Sequence, residues 1–212
     1  MSGDLSHRRD RLGRALIDLC YERGFARLSV EALCGRAGIS AAEFRREYTD
    51  IDDAFCAVFE HEMELLLFDF DAALTGARGW RARLRAVAYA FHRWLAADPA
   101  RTHLMVVEIR SAPERARLIQ TRGIEQMIAL LDEGRSAAPD PDHITKATAE
   151  ALAGGILTQI YAAVENGSLG VDADTVPLIL YAAVLPYLGP EAAAEELEIG
   201  PPTIGANMGE GS

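Results

Sequence analysis

The chain has 212 residues, of which 50% are hydrophobic and 25% charged, a composition typical of folded globular proteins that argues against wholesale disorder. No apolar run reaches the roughly 18 residues of a membrane span, and no signal peptide is recognisable, so we expect a cytoplasmic protein. The formal net charge of −11 argues against a general nucleic-acid binder.

The charge is distributed unevenly along the chain. Residues 1–56 carry 9 arginines against 10 acidic residues, whereas residues 57–212 carry 12 basic residues against 22 acidic ones. A nearly neutral N-terminal segment joined to a strongly acidic remainder indicates two different roles. The three cysteines, Cys20, Cys34 and Cys56, form no CxxC pair, which fits a reducing compartment.

Every periodic segment has the helical period, so the predicted fold is all-α with about nine helices. The first helix carries an apolar stripe through Leu12, Leu16 and Leu19 and ends at Gly24. Capping residues set the ends of the next three helices. These are a helix from Val30 to about Ala37 between Ser29 and Gly38, one opened by Ser40 with Glu43 in a capping box, and one from about Ile51 to Leu74 capped by Thr49 or Asp50.

Five further helices follow in the remainder of the chain, with proline and glycine marking several of their ends. They are predicted from Trp80 to before Asp98-Pro99, from Arg101 to Arg110, from Pro113 to about Leu131, from about His143 to Glu165, and from about Thr175 to Leu188, with Pro186 in the last turn or at a kink. Residues from about Glu198 to Ser212 lack periodicity and are predicted to form a disordered tail.

The segment from Leu28 to Phe55 has the pattern of a helix-turn-helix. Gly38 permits the tight turn, Ile39 fills the space between the two helices, and the Ser40 hydroxyl caps the second helix. The second helix of such a motif enters the DNA major groove, where its N-terminal residues contact base edges. Here the small side chains of Ala41 and Ala42 permit close approach, and arginine side chains follow that reach guanine edges or phosphates.

With the preceding helix, this segment resembles the DNA-binding domain of the TetR (tetracycline repressor-like) family of bacterial transcription regulators. The resemblance spans about residues 9–60. It rests on Ala15 with Leu19, Gly24-Phe25, Leu28-Ser29-Val30-Glu31-Ala32-Leu33, Arg36-Ala37-Gly38-Ile39-Ser40, Phe44, Tyr48 and Phe55. It implies a homodimer that binds double-stranded operator DNA with its first three helices, holds a small-molecule effector in the remainder, and dimerises through its last two long helices.

Three domains and three sets of site residues follow from this interpretation. The domains are a DNA-binding domain over residues 1–50, a ligand-binding and dimerisation domain over 51–197, and the tail over 198–212. The DNA-binding residues are predicted as Ser29, Arg36, Ser40, Ala41, Ala42, Arg45, Arg46 and Tyr48. The ligand-binding residues are predicted as Met63, Leu67, Phe91, His92, Trp94, His103, Met105, Met127, Thr158 and Gln159.

The predicted dimer interface combines small side chains on the eighth helix with an apolar stripe on the ninth. Small residues let helices approach closely, and the apolar excess suggests a surface shared by two subunits. The interface residues are predicted as Ala151, Gly155, Ala162, Val176, Leu180, Ala183, Val184 and Tyr187.

Two other classes of function remain as alternatives. Arg45 and Ile51 stand where the family often has a tyrosine and a lysine that hold phosphate, and several acidic residues lie nearby, so the chain could instead be a binding module whose DNA-binding domain has lapsed. An enzyme has no support from any residue pattern, since no P-loop, GxSxG or HExxH is present. His61 and Glu64 alone have a spacing that suits a metal, and no cofactor is expected.

Overall fold

The computed structural model describes residues 2–167 and 174–202, and this part of the chain contains nine α-helices and no β-strand, so the predicted all-α class is confirmed. The helices are α1 Ser2–Arg23, α2 Val30–Ala37, α3 Ala41–Glu47, α4 Ile51–Leu74, α5 Trp80–Ala97, α6 Pro99–Val106, α7 Glu114–Asp132, α8 Lys146–Glu165 and α9 Thr175–Glu198.

Aspartate side chains define the starts of α4 and α6. Asp50, rather than Thr49, caps α4, because its Oδ1 accepts the Asp53 amide at 2.9 Å. Asp98 caps α6 by accepting the amides of Ala100 and Arg101, each at 3.1 Å, and Pro99 occupies the first helical position, where no N–H is needed. α6 therefore begins before the predicted Arg101.

Two helices, α6 and α8, are shorter than the sequence indicates. α6 ends at Val106 and is followed by a separate 3-10 turn, Glu108–Ser111, so the predicted helix to Arg110 was wrong in its second half. α8 begins at Lys146, because the 3-10 turn Pro141–His143 takes up the residues before it.

The first segment of α9 ends at Leu188, as predicted, because Gly189 interrupts the helix with a φ of 79°, in the left-handed region. Pro186 lies in the last turn before this break, one of the two positions predicted for it, and Pro190 starts a final helical segment that was not predicted. By length and composition α9 is the one described helix apolar enough to cross a membrane, and the break at Gly189 divides it. In the predicted tail, Glu198 still belongs to α9, and residues 203–212 lie outside the described residues.

Two clusters of buried apolar side chains hold the helices together. The N-terminal cluster joins α1–α6 with parts of α7 and α8 around Leu16, Phe44, Phe59 and Leu104. The C-terminal cluster joins α5, α7, α8 and α9 around side chains that include Tyr187. Helix α5 contributes to both clusters, so it connects the N-terminal helices with α9.

Candidate nucleic-acid interface and ligand cavity

The turn between α2 and α3 has the geometry of a helix-turn-helix. Gly38 ends α2 in the left-handed conformation, with φ 65° and ψ 39°, and the amide of Ile39 bonds to the Cys34 carbonyl at 3.1 Å. The Ser40 hydroxyl accepts the Glu43 amide at 3.2 Å, and the Glu43 carboxylate accepts the Ser40 amide at 2.8 Å. The bonds from Ser40 lower the pKa of Glu43, so this capping box holds a charged carboxylate at neutral pH.

Helix α3 is fixed by one aromatic side chain and exposes its opposite side. Phe44 is 1% exposed and packs in the N-terminal cluster, whereas Ala41, Ala42, Arg45 and Arg46 are exposed. Among the described residues, neither arginine forms a hydrogen bond or ion pair with the rest of the chain. Two unpaired guanidinium groups beside small side chains suit a surface that approaches phosphates and base edges.

The carboxylates of α3 are paired with arginines from α1. Arg9 Nε lies 2.9 Å from Glu47 Oε2, and Arg8 lies 3.6 Å from Glu43. These pairs join α1 to α3. They also place a positive charge beside each of the two carboxylates of α3, the helix that carries Arg45 and Arg46, which reduces the repulsion that a phosphate would meet.

The remaining predicted DNA-binding residues differ in their exposure and in whether their polar groups already have partners within the chain. Ser29 is exposed and caps α2 by accepting the Ala32 amide at 3.2 Å. Arg36 is exposed but bound in a two-point ion pair to Glu22, at 2.7 and 2.9 Å. Tyr48 is half-buried against Phe44, and burial raises its pKa, so the hydroxyl remains a neutral donor.

A cavity of about 80 Å³ lies between α5, α7, α8 and α9, where the two core clusters meet. Its lining is almost entirely hydrocarbon. The lining residues are Leu84, Val87, Ala88, Phe91, His92, Leu95, Met127, Leu130, Leu131, Ile156, Ile160, Val176, Ile179, Leu180 and Ala183.

Three predicted ligand-binding residues, Phe91, His92 and Met127, line this cavity. The other seven have other surroundings. Met63 and Leu67 are half-buried on α4, Trp94 and Met105 are buried in the N-terminal cluster, His103 bonds to Glu108 at 3.1 Å, Thr158 bonds to its own helix at the Gly154 carbonyl, and Gln159 is exposed.

Of the α5 side chains in the cavity wall, only Phe91 and His92 were predicted to bind a ligand. The sequence also has an apolar stripe at helical spacing on α5, through Leu84, Val87, Ala88, Phe91 and Leu95. It is the α5 side of the cavity. A stripe that continues at helical spacing past an isolated histidine would have pointed to this wall.

The predicted dimer residues separate into two groups. Ala151, Gly155 and Ala162 are exposed on α8. The five residues on α9 are buried inside the chain, in the C-terminal cluster, so they are not available to a partner and the prediction for them is corrected; they are Val176, Leu180, Ala183, Val184 and Tyr187.

A different set of α9 residues lies at the surface, on a helix that contacts α8. Leu178 is 59% exposed and Leu185 is 37% exposed, and Ala182 and Pro186 are also exposed. Together with Ala151, Gly154, Gly155, Thr158 and Ala162 they form the set that we call the α8/α9 face.

The structure places no metal-binding cluster in residues 2–167 and 174–202, where no three His, Cys, Asp or Glu side chains are grouped to hold an ion. Cys20, Cys34 and Cys56 are buried free thiols. Burial, followed by the nearby Glu108 carboxylate, raises the pKa of Cys20 to about 12, which makes this thiol inert at neutral pH.

No family model and no curated protein matches this sequence. Solved structures do match. FadR from Bacillus subtilis, in complex with stearoyl-CoA, is 14% identical with a TM-score of 0.73, over 82% of this chain and 96% of FadR. A TetR-like regulator from Rhodococcus is 21% identical with a TM-score of 0.69, over 84% of this chain and 94% of that one. SmeT, the repressor of a Stenotrophomonas maltophilia multidrug efflux pump, is 20% identical with a TM-score of 0.67, over 84% of this chain and 89% of SmeT.

The chain has the fold of TetR-type transcription regulators along most of its length. Its helix-turn-helix lies in the N-terminal part of that fold and its cavity in the C-terminal part.

Proposed function

We propose that the protein is a cytoplasmic, homodimeric transcription regulator, a repressor that a small, partly apolar molecule releases from a palindromic operator. The observation that carries the proposal is the exposed surface of α3, where two unpaired arginines follow two alanines in a correctly capped helix-turn-helix. The TetR-type fold supports it, since SmeT is named as a repressor and FadR binds stearoyl-CoA. No catalysis is assigned.

The position of the cavity suggests how a ligand would act. Helices α8 and α9 line the cavity with Ile156, Ile160 and Ile179, and the same two helices carry the α8/α9 face. A second copy of the chain packed on this face would place two α3 helices on one DNA duplex, about one helical turn or more apart. A ligand that changes the packing of α8 and α9 would alter this separation and so favour a state that does not bind DNA.

Footprinting on the DNA upstream of the protein's own gene tests the proposal. We expect protection of two half-sites related by two-fold symmetry. The alternative, a binding module with a lapsed DNA-binding domain, is favoured by the ion pairs that already occupy Arg8, Arg9 and Arg36. Absence of protection at low salt would support this alternative and contradict the proposal.

Replacing Arg46 by alanine is expected to weaken operator binding by about 1–3 kcal/mol, because an arginine contact to a base edge or phosphate is lost. The melting temperature should change little, since Arg46 is exposed and has no ion pair among the described residues. A mobility-shift titration measures the effect. Arg122→Ala, which removes an exposed arginine from α7, is the matched control. Equal affinities for the two variants would remove Arg46 from the interface.

Replacing Leu178 by glutamate is expected to convert the dimer to a monomer. The substitution places two negative charges in a two-fold interface, one from each copy, and both would lose their hydration. Sedimentation velocity measures the change. Leu118→Glu is the matched control, because Leu118 on α7 is 55% exposed against 59% for Leu178 and lies outside the α8/α9 face. A Leu178→Glu protein that remains dimeric would contradict this interface.

A further inference from the structure

The cavity between α5, α7, α8 and α9 has one polar side chain in its lining. Of the fifteen lining residues, fourteen are aliphatic, aromatic or methionine, and the exception is His92. His92 is half-buried and makes no hydrogen bond, ion pair or ring contact within the described residues. An imidazole offers one hydrogen-bond donor and one acceptor in its neutral form, and here both are unused by the protein.

The cavity follows α5 for about three turns. Its α5 wall runs from Leu84 to Leu95, which corresponds to roughly 16 Å at the helical rise of 1.5 Å per residue. Leu84 belongs to the C-terminal cluster and Leu95 to the N-terminal cluster, so the cavity extends from one core towards the other. His92 lies one turn from the Leu95 end. The lining therefore suits a long apolar body with a polar group near one end.

We propose that this cavity binds an elongated, uncharged molecule with an aliphatic body and a single hydrogen-bonding group, such as a hydroxyl, that bonds to His92. The inference rests on the proposed function and deepens it by naming the chemical class of the effector.

The lining disfavours an anionic head group because, within the described residues, it offers no arginine or lysine side chain. Arg85, the neighbour of Leu84, is already bound through Nε and Nη2 to both oxygens of Glu196. A carboxylate or phosphate moved into this lining would lose its hydration, and the one hydrogen bond that His92 offers returns less than that cost.

Binding of 1-decanol and of decanoate to the full-length protein without DNA, measured by calorimetry, tests the inference. The two probes share a chain length and differ in charge at neutral pH. We expect decanol to bind and decanoate to bind at least tenfold more weakly. His92→Leu is expected to weaken decanol binding about two- to tenfold, the effect of one neutral hydrogen bond.

A pair of alanine substitutions on α5 identifies the site. Ala88→Leu fills the cavity and is expected to abolish decanol binding, whereas Ala96→Leu adds the same side chain at an exposed position of α5 and should leave binding unchanged. Equal affinities for the two probes, no binding of either, or full decanol binding by the Ala88→Leu protein would each overturn the inference. Because no DNA is used, these results are independent of the footprint that tests the proposed function.

Discussion

Replacing Glu196 by alanine is expected to lower the free energy of unfolding by about 3–5 kcal/mol, the cost of removing one partner from a buried ion pair. The Glu196 residue is 1% exposed. Its carboxylate bonds to Arg85 at 2.8 Å and to Arg81 Nε at 2.5 Å, and thereby ties the last segment of α9 to α5. The substitution leaves the partly buried Arg85 guanidinium without its anion and leaves Arg81 with only the exposed carboxylate of Glu195.

Urea unfolding of the two variants Glu196→Ala and Glu195→Ala measures this effect. Glu195 is the matched control because it is the adjacent residue and also pairs with Arg81, at 2.8 Å, but its side chain is 63% exposed. Solvent screens an exposed pair, so the control should lose less than about 1 kcal/mol. Equal losses for the two variants would show that burial of the Glu196 carboxylate does not govern the attachment of α9.

The helix-turn-helix could be predicted from the sequence because local chemistry defines it. Ser29, Gly38 and Ser40 each act on backbone groups within a few residues, so their spacing alone predicts both helices and the turn. The burial of Phe44 could also be predicted from local sequence, since Phe44 is the apolar residue one turn into a helix whose other early side chains are small or charged.

The dimer surface and most of the cavity could not be predicted in the same way. An apolar stripe indicates that one side of a helix is covered, but not which neighbour covers it. Val176, Leu180 and Val184 form such a stripe, and α9 buries it within its own chain, against the C-terminal cluster. The exposed α8/α9 face has the same helical spacing, in Leu178, Ala182 and Leu185, so the pattern alone does not distinguish it from the buried stripe.

The end of the first segment of α9 could be predicted, but not the residue that breaks the helix. Of the two positions predicted for Pro186, the last turn or a kink, the structure has the last turn, and the helix passes through the proline. Pro186 and Ala182, whose carbonyl the proline leaves without its helical partner, are both exposed. Gly189 breaks the helix because it adopts a positive φ, a conformation that glycine adopts at little cost.

Glu108 connects the N-terminal helices to α6 and the rest of the chain. It is 8% exposed, its Oε2 accepts the Phe25 amide at 2.7 Å, and its Oε1 lies 3.1 Å from His103 Nε2. Phe25 is the first residue of the 3-10 turn that follows α1. The Glu108 carboxylate also packs against the adjacent Gly24, where an added Cβ would lie 3.6 Å from Oε1, at van der Waals contact. One buried carboxylate thus joins the turn before α2 to the end of α6.

Replacing Glu108 by alanine is expected to lower the free energy of unfolding by about 1–3 kcal/mol, because the buried Phe25 amide loses its acceptor. In the proposed regulator we expect the Glu108–Phe25 contact to transmit changes around the cavity to the N-terminal helices, so that an effector which releases DNA from the native protein releases less from the variant. Urea unfolding measures the first effect. Operator affinity with and without 1-decanol measures the second.

Two further variants separate the hydrogen bond from the loss of a charge. Glu108→Gln keeps a carbonyl acceptor for the Phe25 amide, so it should retain most of the stability and most of the response to the effector. Glu114→Ala removes an exposed carboxylate at the start of α7 and should change neither. If the Glu108→Ala protein bound and released the operator as the native protein does, a change in α6 would have to reach α3 by another route. The contacts of α1 with α6, which include the Arg14–Asp98 ion pair, would then be the next to test.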